Sequence, residues 1–255
     1  MLKQVRVGPL AGVAVNAADG HVFTGDGDDD AVSEVDPVAG TEVHRIAVAG
    51  PVDAVAYDAT LGRIYADEDD GTRIFVIDSK TFKQIGTVAL PGHKPEYLAI
   101  DPKTHDVYQN IADLSEVAVV DPTTLTVTRT IATPELTNDH PLQYDAAYGV
   151  ILTAGTNGKL SVYTPAGKVL STIDVPARID QCTLDEGRHV LACAGGGKVT
   201  LIAVDAGGQA SILVQADAAK GTHTVGVDAA TGAAWAPYGM RGGDSFIVRF
   251  GPLTP

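Results

Sequence analysis

The sequence predicts an all-β fold of six repeated units, each a four-stranded antiparallel sheet, set as the blades of a propeller. Three observations predict it. An apolar run ends in Asp or Asn at Asn16, Asp58, Asp101, Asp145, Asp185 and Asp228, at intervals of 40 to 44 residues. A later apolar run closes 19 to 22 residues after each marker, at Asp36, Asp78, Asp121, Thr164, Asp205 and Phe250. Few segments show helical periodicity; strand-like runs such as Ile74-Phe75-Val76-Ile77 and Val117-Ala118-Val119-Val120 dominate. Several strands per unit at this period describe propeller blades.

The second unit shows the elements in order. Residues 52–57 form the first strand, and Asp58-Ala59-Thr60-Leu61-Gly62 the turn after it. Residues 63–66 form the second strand, 67–71 a loop, and 72–77 the third strand. Asp78-Ser79-Lys80-Thr81 turns into the fourth strand, within 82–90. Asp, Ser, Thr and Gly at these corners hydrogen-bond locally or accept tight backbone geometry. Alternate residues of the first strands are large on one face (Val55 and Tyr57, Leu98 and Ile100) and small on the other (Ala54 and Ala56, Ala99, Gly226), which suits sheets packed face to face.

The last unit supplies first, second and third strands at 222–227, 233–237 and 245–250. Counting on from residue 255 to residue 1, the interval between markers is again 43 residues. The N-terminal strand Lys3-Gln4-Val5-Arg6-Val7 is therefore expected to join the last blade and close the ring, giving one domain over residues 1–255.

Cys182 and Cys193 are the chain's two cysteines. A hairpin that sets Leu184 opposite Leu191 also sets Cys182 opposite Cys193, within disulfide reach. Both replace small apolar residues of sister repeats, and two buried thiols are the expectation.

The strand patterns resemble the YVTN-type repeat family, which includes the YncE-like propeller proteins. The match is carried by Pro95 to Asp101-Pro102, Val107-Tyr108, and Val117-Ala118-Val119-Val120-Asp121-Pro122-Thr123-Thr124. Ala54-Val55-Ala56-Tyr57-Asp58, Arg63-Ile64-Tyr65 and Ile74-Phe75-Val76-Ile77-Asp78 repeat it. The fourth and fifth units diverge, with Thr164 in an Asp position and no Pro after Asp185. The resemblance implies an extracytoplasmic protein, periplasmic or secreted; residues 1–7 do not read as a signal peptide, because no apolar stretch follows them.

A formal charge of −14 argues against nucleic acid or an anionic membrane as the main partner. No apolar run is long enough to span a bilayer, so no membrane insertion is expected. A monomer that binds a small polar ligand, a metal ion or another protein fits this composition. Enzyme motifs are missing where they can be checked. Gly195-Gly196-Gly197-Lys198 is followed by Val199, where a phosphate loop needs Ser or Thr. Asp26-Gly27-Asp28-Asp29-Asp30 has Ala31 and Pro37 where a calcium loop needs Gly and Glu. With Asp67-Glu68-Asp69-Asp70 it reads as a solvated acidic rim.

One constellation remains. Five residues before each marker stand Ala11, Asp53, Glu96, His140, Asp180 and His223. In a propeller these positions fall at one mouth of the central channel. Imidazole and carboxylate together suit zinc, copper or nickel, and the carboxylates also suit calcium. The ring reads either as the polar lining of a wet channel or, if a metal binds, as its ligand set Asp53, Glu96, His140, Asp180 and His223, with His93 as an outer partner. The leading expectation is a non-enzymatic binding module. The alternative is a metal-dependent lactonase- or esterase-like hydrolase, with Glu96, His140 and His223 on the metal and Asp53 or Asp180 as base. His21, His44, His105 and His189 read as surface residues.

Overall fold

A computed structural model describes residues 10–239 and 245–251. Among the described residues there are 23 strands and no helix. The first sheet is β1 (Leu10–Val15), β2 (Val22–Asp26), β3 (Ala31–Asp36) and β4 (Thr41–Ala47). The second is β5 (Val52–Asp58), β6 (Arg63–Glu68), β7 (Arg73–Asp78) and β8 (Lys83–Ala89). The third is β9 (Pro95–Ile100), β10 (Val107–Ile111), β11 (Glu116–Asp121) and β12 (Thr126–Ala132). The fourth is β13 (Asp139–Asp145), β14 (Val150–Gly155), β15 (Lys159–Tyr163) and β16 (Val169–Asp174). The fifth is β17 (Ile179–Asp185), β18 (Val190–Gly195), β19 (Lys198–Val204) and β20 (Ala210–Asp217). The sixth is β21 (Gly226–Asp228), β22 (Ala233–Gly239) and β23 (Ser245–Phe250).

Each sheet is an antiparallel meander in chain order, and the fold class is the six-bladed β-propeller. Five sheets have four strands, and the sixth has three among the described residues. The closing strand expected at Lys3-Gln4-Val5-Arg6-Val7 lies outside the described residues. The first strand of the sixth sheet is shorter than the sequence predicts, starting at Gly226 instead of residue 222.

The repeat markers have a structural reason. The side-chain oxygen of each marker accepts backbone N–H groups of the turn that follows it. Asp58 Oδ1 takes Thr60 and Leu61, Asp145 Oδ1 takes Ala147 and Tyr148, and Asn16 Oδ1 takes Ala18. The Asp markers of the third strands do the same: Asp121 Oδ1 takes Thr123 and Thr124, and Asp36 Oδ1 takes Val38 and Ala39. Thr164, the departure from the pattern, keeps the role through its hydroxyl, which accepts Lys168 N–H. These are Asx- and ST-type turns, the reason the corner residue is short and polar. Four residues past each first-strand marker the backbone is left-handed: Gly20, Gly62, His105, Gly149, His189 and Gly232 have φ of 54° to 79°. Glycine takes that conformation without strain, and four of the six are glycine.

The chain divides into two compact units, Met1–Thr130 and Ile131–Pro255. In the first, Phe23, Val52, Ile64, Phe75 and Ile77 form one buried cluster, and Tyr65, Val76, Leu98, Val107 and Ile111 another. In the second, Leu152, Leu160, Ile179, Leu191 and Ile202 are buried together, and Val199, Leu201, Val225 and Ala236 form a further cluster. The hairpin β17–β18 has the predicted register, with Leu184 opposite Leu191 and Cys182 opposite Cys193. The two cysteines are not free thiols as expected but a disulfide, with Cα atoms 4.1 Å apart. Both are buried, so the bond staples the hairpin from inside.

Candidate functional site

Five of the six positions singled out from the repeat share a backbone feature. Where each first strand begins, its register against the second strand slips by one residue. The slips lie between Leu10 and Val13, Val52 and Val55, Pro95 and Leu98, Asp139 and Leu142, and Ile179 and Gln181. Ala11, Asp53, Glu96, His140 and Asp180 sit inside these slipped stretches. A bulge bends its strand and re-aims the side chains it carries, which is why bulges accompany binding sites. His223 precedes β21.

In the second unit, three of the predicted residues meet. His140 Nδ1 lies 3.3 Å from Asp180 Oδ1, and His223 Nδ1 lies 3.7 Å from Asp180 Oδ2. One carboxylate therefore faces two imidazoles, one on each oxygen. The Asp180 and His140 side chains are about one third exposed and His223 is 62% exposed. Beside them opens a cavity of about 360 Å³, lined by His140, Thr156, Arg178, Ile179 and Asp180. Its wall is shaped by the glycine loop. A side chain on Gly195 would sit 2.1 Å from Arg178 O, so Gly195 is required for this close approach and the loop serves packing, not phosphate. Next to His140, Asp139 is fully buried. Burial pushes its carboxyl up to about 7, against the opposing effect of the Thr133 hydroxyl that donates to it.

In the first unit, Asp53 and Glu96 act on a residue the sequence did not single out for chemistry. Asp67 is completely buried. Its Oδ1 accepts the backbone N–H of Ala54, in the bulge of β5, at 2.6 Å. Its Oδ2 accepts Gln109 Nε2 at 2.9 Å. Burial above all, then the negative charge of Asp53 and, less, of Glu96, raises the Asp67 carboxyl well above the ordinary range. Within the second unit His140, Asp180 and His223 come together, and within the first Asp53 and Glu96 act on buried Asp67. Among the described residues, no group of three or more His, Cys, Asp or Glu side chains is arranged to hold a metal ion.

Other readings change. The acidic runs are not a uniformly solvated rim. Asp26 is buried and ion-pairs with Arg45 at 3.1 Å, Asp67 is buried, and Glu68 ion-pairs with Arg73. The four surface histidines all hold carboxylates. His105 Nδ1 is 2.8 Å from Asp58 Oδ2 and His189 Nδ1 is 2.7 Å from Asp145 Oδ2, each joining a turn to the marker of the preceding sheet. His21 and His44 each take one oxygen of Glu34, at 2.7 Å. The Glu34 hydrogen bond holds the His21 imidazole above its ordinary pKa. His93 is exposed, and its backbone N–H donates to Asp113. These pairings were not legible in the sequence, because the His105 and His189 partners lie 47 and 44 residues away.

No known family model matches the chain, and no curated protein matches it in sequence. Solved structures do match in fold. Hydrazine synthase of Kuenenia stuttgartiensis aligns with a TM-score of 0.81 and 14% identity over 97% of this chain and 85% of that one. The Cps50 (Swd1) beta-propeller domain of Myceliophteria thermophila aligns with a TM-score of 0.81 and 13% identity over 96% and 84%. A chain of the mitotic checkpoint complex aligns with a TM-score of 0.77 and 14% identity over 89% and 71%. At such identities the likeness establishes the propeller fold and nothing of the activity, since one fold hosts many functions.

Proposed function

We propose that this chain is a non-enzymatic binding propeller of the YVTN/YncE-like type whose second unit takes a divalent metal ion through His140, Asp180 and His223. The observation that carries the reading is the Asp180 carboxylate, which faces an imidazole Nδ1 with each of its two oxygens. Mixed imidazole and carboxylate donors favour zinc, copper or nickel over calcium, which takes oxygen ligands. His223 is 62% exposed, so its ring has solvent space in which to turn toward an ion. A binding role is in keeping with the structural likenesses, which include a chain of a multiprotein complex.

An extracytoplasmic setting belongs to the same reading. A buried disulfide between β17 and β18 supports it, because such bonds persist in oxidising compartments. Calorimetric titration of chelator-free protein with zinc, copper, nickel and calcium tests the assignment. Wild type is expected to bind one transition-metal ion and His140→Ala/His223→Ala none. Equal binding by both proteins overturns the assigned site, and no binding by wild type overturns the metal.

A further inference from the structure

His140 lies on β13, Asp180 on β17 and His223 just before β21; these strands belong to three different sheets, and no backbone ladder joins them. Apolar packing between sheets is not directional, so by itself it leaves neighbouring strands room to slide. Two side chains supply direction. Gln143 Nε2 of β13 donates to Cys182 O of β17 at 2.9 Å. Thr183 Oγ1 of β17 donates to Val225 O, just before β21, at 2.7 Å. Gln143 is three residues from His140, Cys182 is two from Asp180, and Val225 is two from His223. The two bonds therefore tie together the three chain segments that bear the proposed ligands.

The repeat makes these links conspicuous. Gln143 and Thr183 stand two residues before their markers, and each reaches the carbonyl three residues before the next marker. The same position holds Ala14, Ala56 and Ala99 in the first three sheets and Gly226 in the sixth. Alanine and glycine thus suffice for the fold at this position. The long or hydroxylated side chains occur only where they link the ligand-bearing segments. On the acceptor side the anchor is itself fixed, because Cys182 is bonded to Cys193 across the hairpin.

We propose that Gln143 and Thr183 are positioning residues of the metal site: Gln143 sets His140 against Asp180, and Thr183 sets Asp180 against His223. The inference rests on the proposed function for its ligand but not for its geometry. A ligand constellation works only when held within about 0.5 Å of its productive arrangement, and residues beyond the ligands do that holding. Groups that hydrogen-bond to a ligand itself typically change metal affinity by about 10- to 100-fold when removed, and ties between the segments that carry the ligands are expected at the low end of that range.

The test uses Gln143→Ala and Thr183→Ala, which install the residue the first three sheets carry. Zinc titration is paired with ¹⁵N imidazole spectra of the metal-free protein. Zinc affinity is expected to fall by about tenfold or more in each variant. The melting temperature should stay within a few degrees of wild type, and Thr183→Ser should restore affinity. Gln143→Ala should move the His140 ring signals and spare those of His223; Thr183→Ala should move those of His223. Unchanged zinc affinity in both alanine variants overturns the proposal. If wild type binds no zinc, the metal assignment fails and the ring signals decide: unmoved His140 and His223 signals overturn the positioning role, and selective movement upholds it.

Discussion

His189 Nδ1 lies 2.7 Å from Asp145 Oδ2 and joins the β17–β18 turn to the end of β13. The Asp145 side chain is buried and already caps its own turn through Oδ1, so the imidazole completes it. His189 also stacks on Tyr148, with ring centroids 3.8 Å apart. Its backbone is left-handed, at φ 54°. Two losses can therefore be separated. His189→Gly keeps the backbone and loses the clasp; it should cost about 1–3 kcal/mol, the desolvation cost of a buried acceptor left short of a partner. His189→Ala loses the clasp and adds strain, and should be less stable than His189→Gly. Denaturant unfolding checks the order, and an alanine variant as stable as the glycine variant contradicts it.

The second prediction concerns the disulfide. Thiol titration of the denatured, unreduced protein should find no free thiol. Cys182→Ala/Cys193→Ala should lower stability by about 2–4 kcal/mol. Two titratable thiols in protein prepared under oxidising conditions contradict the bond between Cys182 and Cys193.

The third prediction is a pH dependence from Asp67. Its folded-state carboxyl titrates well above the ordinary value of 3.8, chiefly through burial. The folded protein therefore holds a proton that the unfolded chain has released, and this contribution to stability is lost as pH rises from about 4 through the folded value. Asp67→Asn removes the titration and can still accept the Ala54 N–H, while Gln109 can turn its amide to match. The variant should gain stability relative to wild type as pH rises through that window. A difference between the two proteins that does not change with pH contradicts the assignment.

The repeat was legible because its markers do a local job. Asp58, Asp121 and Asp145 cap turns with their own side chains, so the corner residue is recorded in the sequence at every turn. The Cys182–Cys193 register followed from the hairpin, but their bonding did not, because a small apolar environment suits a thiol and a disulfide alike. The position of Asp53, Glu96, His140 and Asp180 at the head of their strands was readable; the bulge that carries them was not, since any of these side chains fits one. Asp67 looked like part of a charged run, and only the fold shows that it turns inward to the Ala54 amide. Gln143 and Thr183 were not legible as linkers, because their meaning needs the neighbouring carbonyls.

The central claim is the metal site at His140, Asp180 and His223, and anomalous diffraction at the zinc edge from zinc-soaked crystals tests it most directly. The account predicts a peak about 2.0–2.1 Å from an imidazole nitrogen of His140 and of His223 and about 2.0–2.2 Å from an Asp180 oxygen. A peak at other residues alone, or no peak in crystals soaked without chelator, contradicts it.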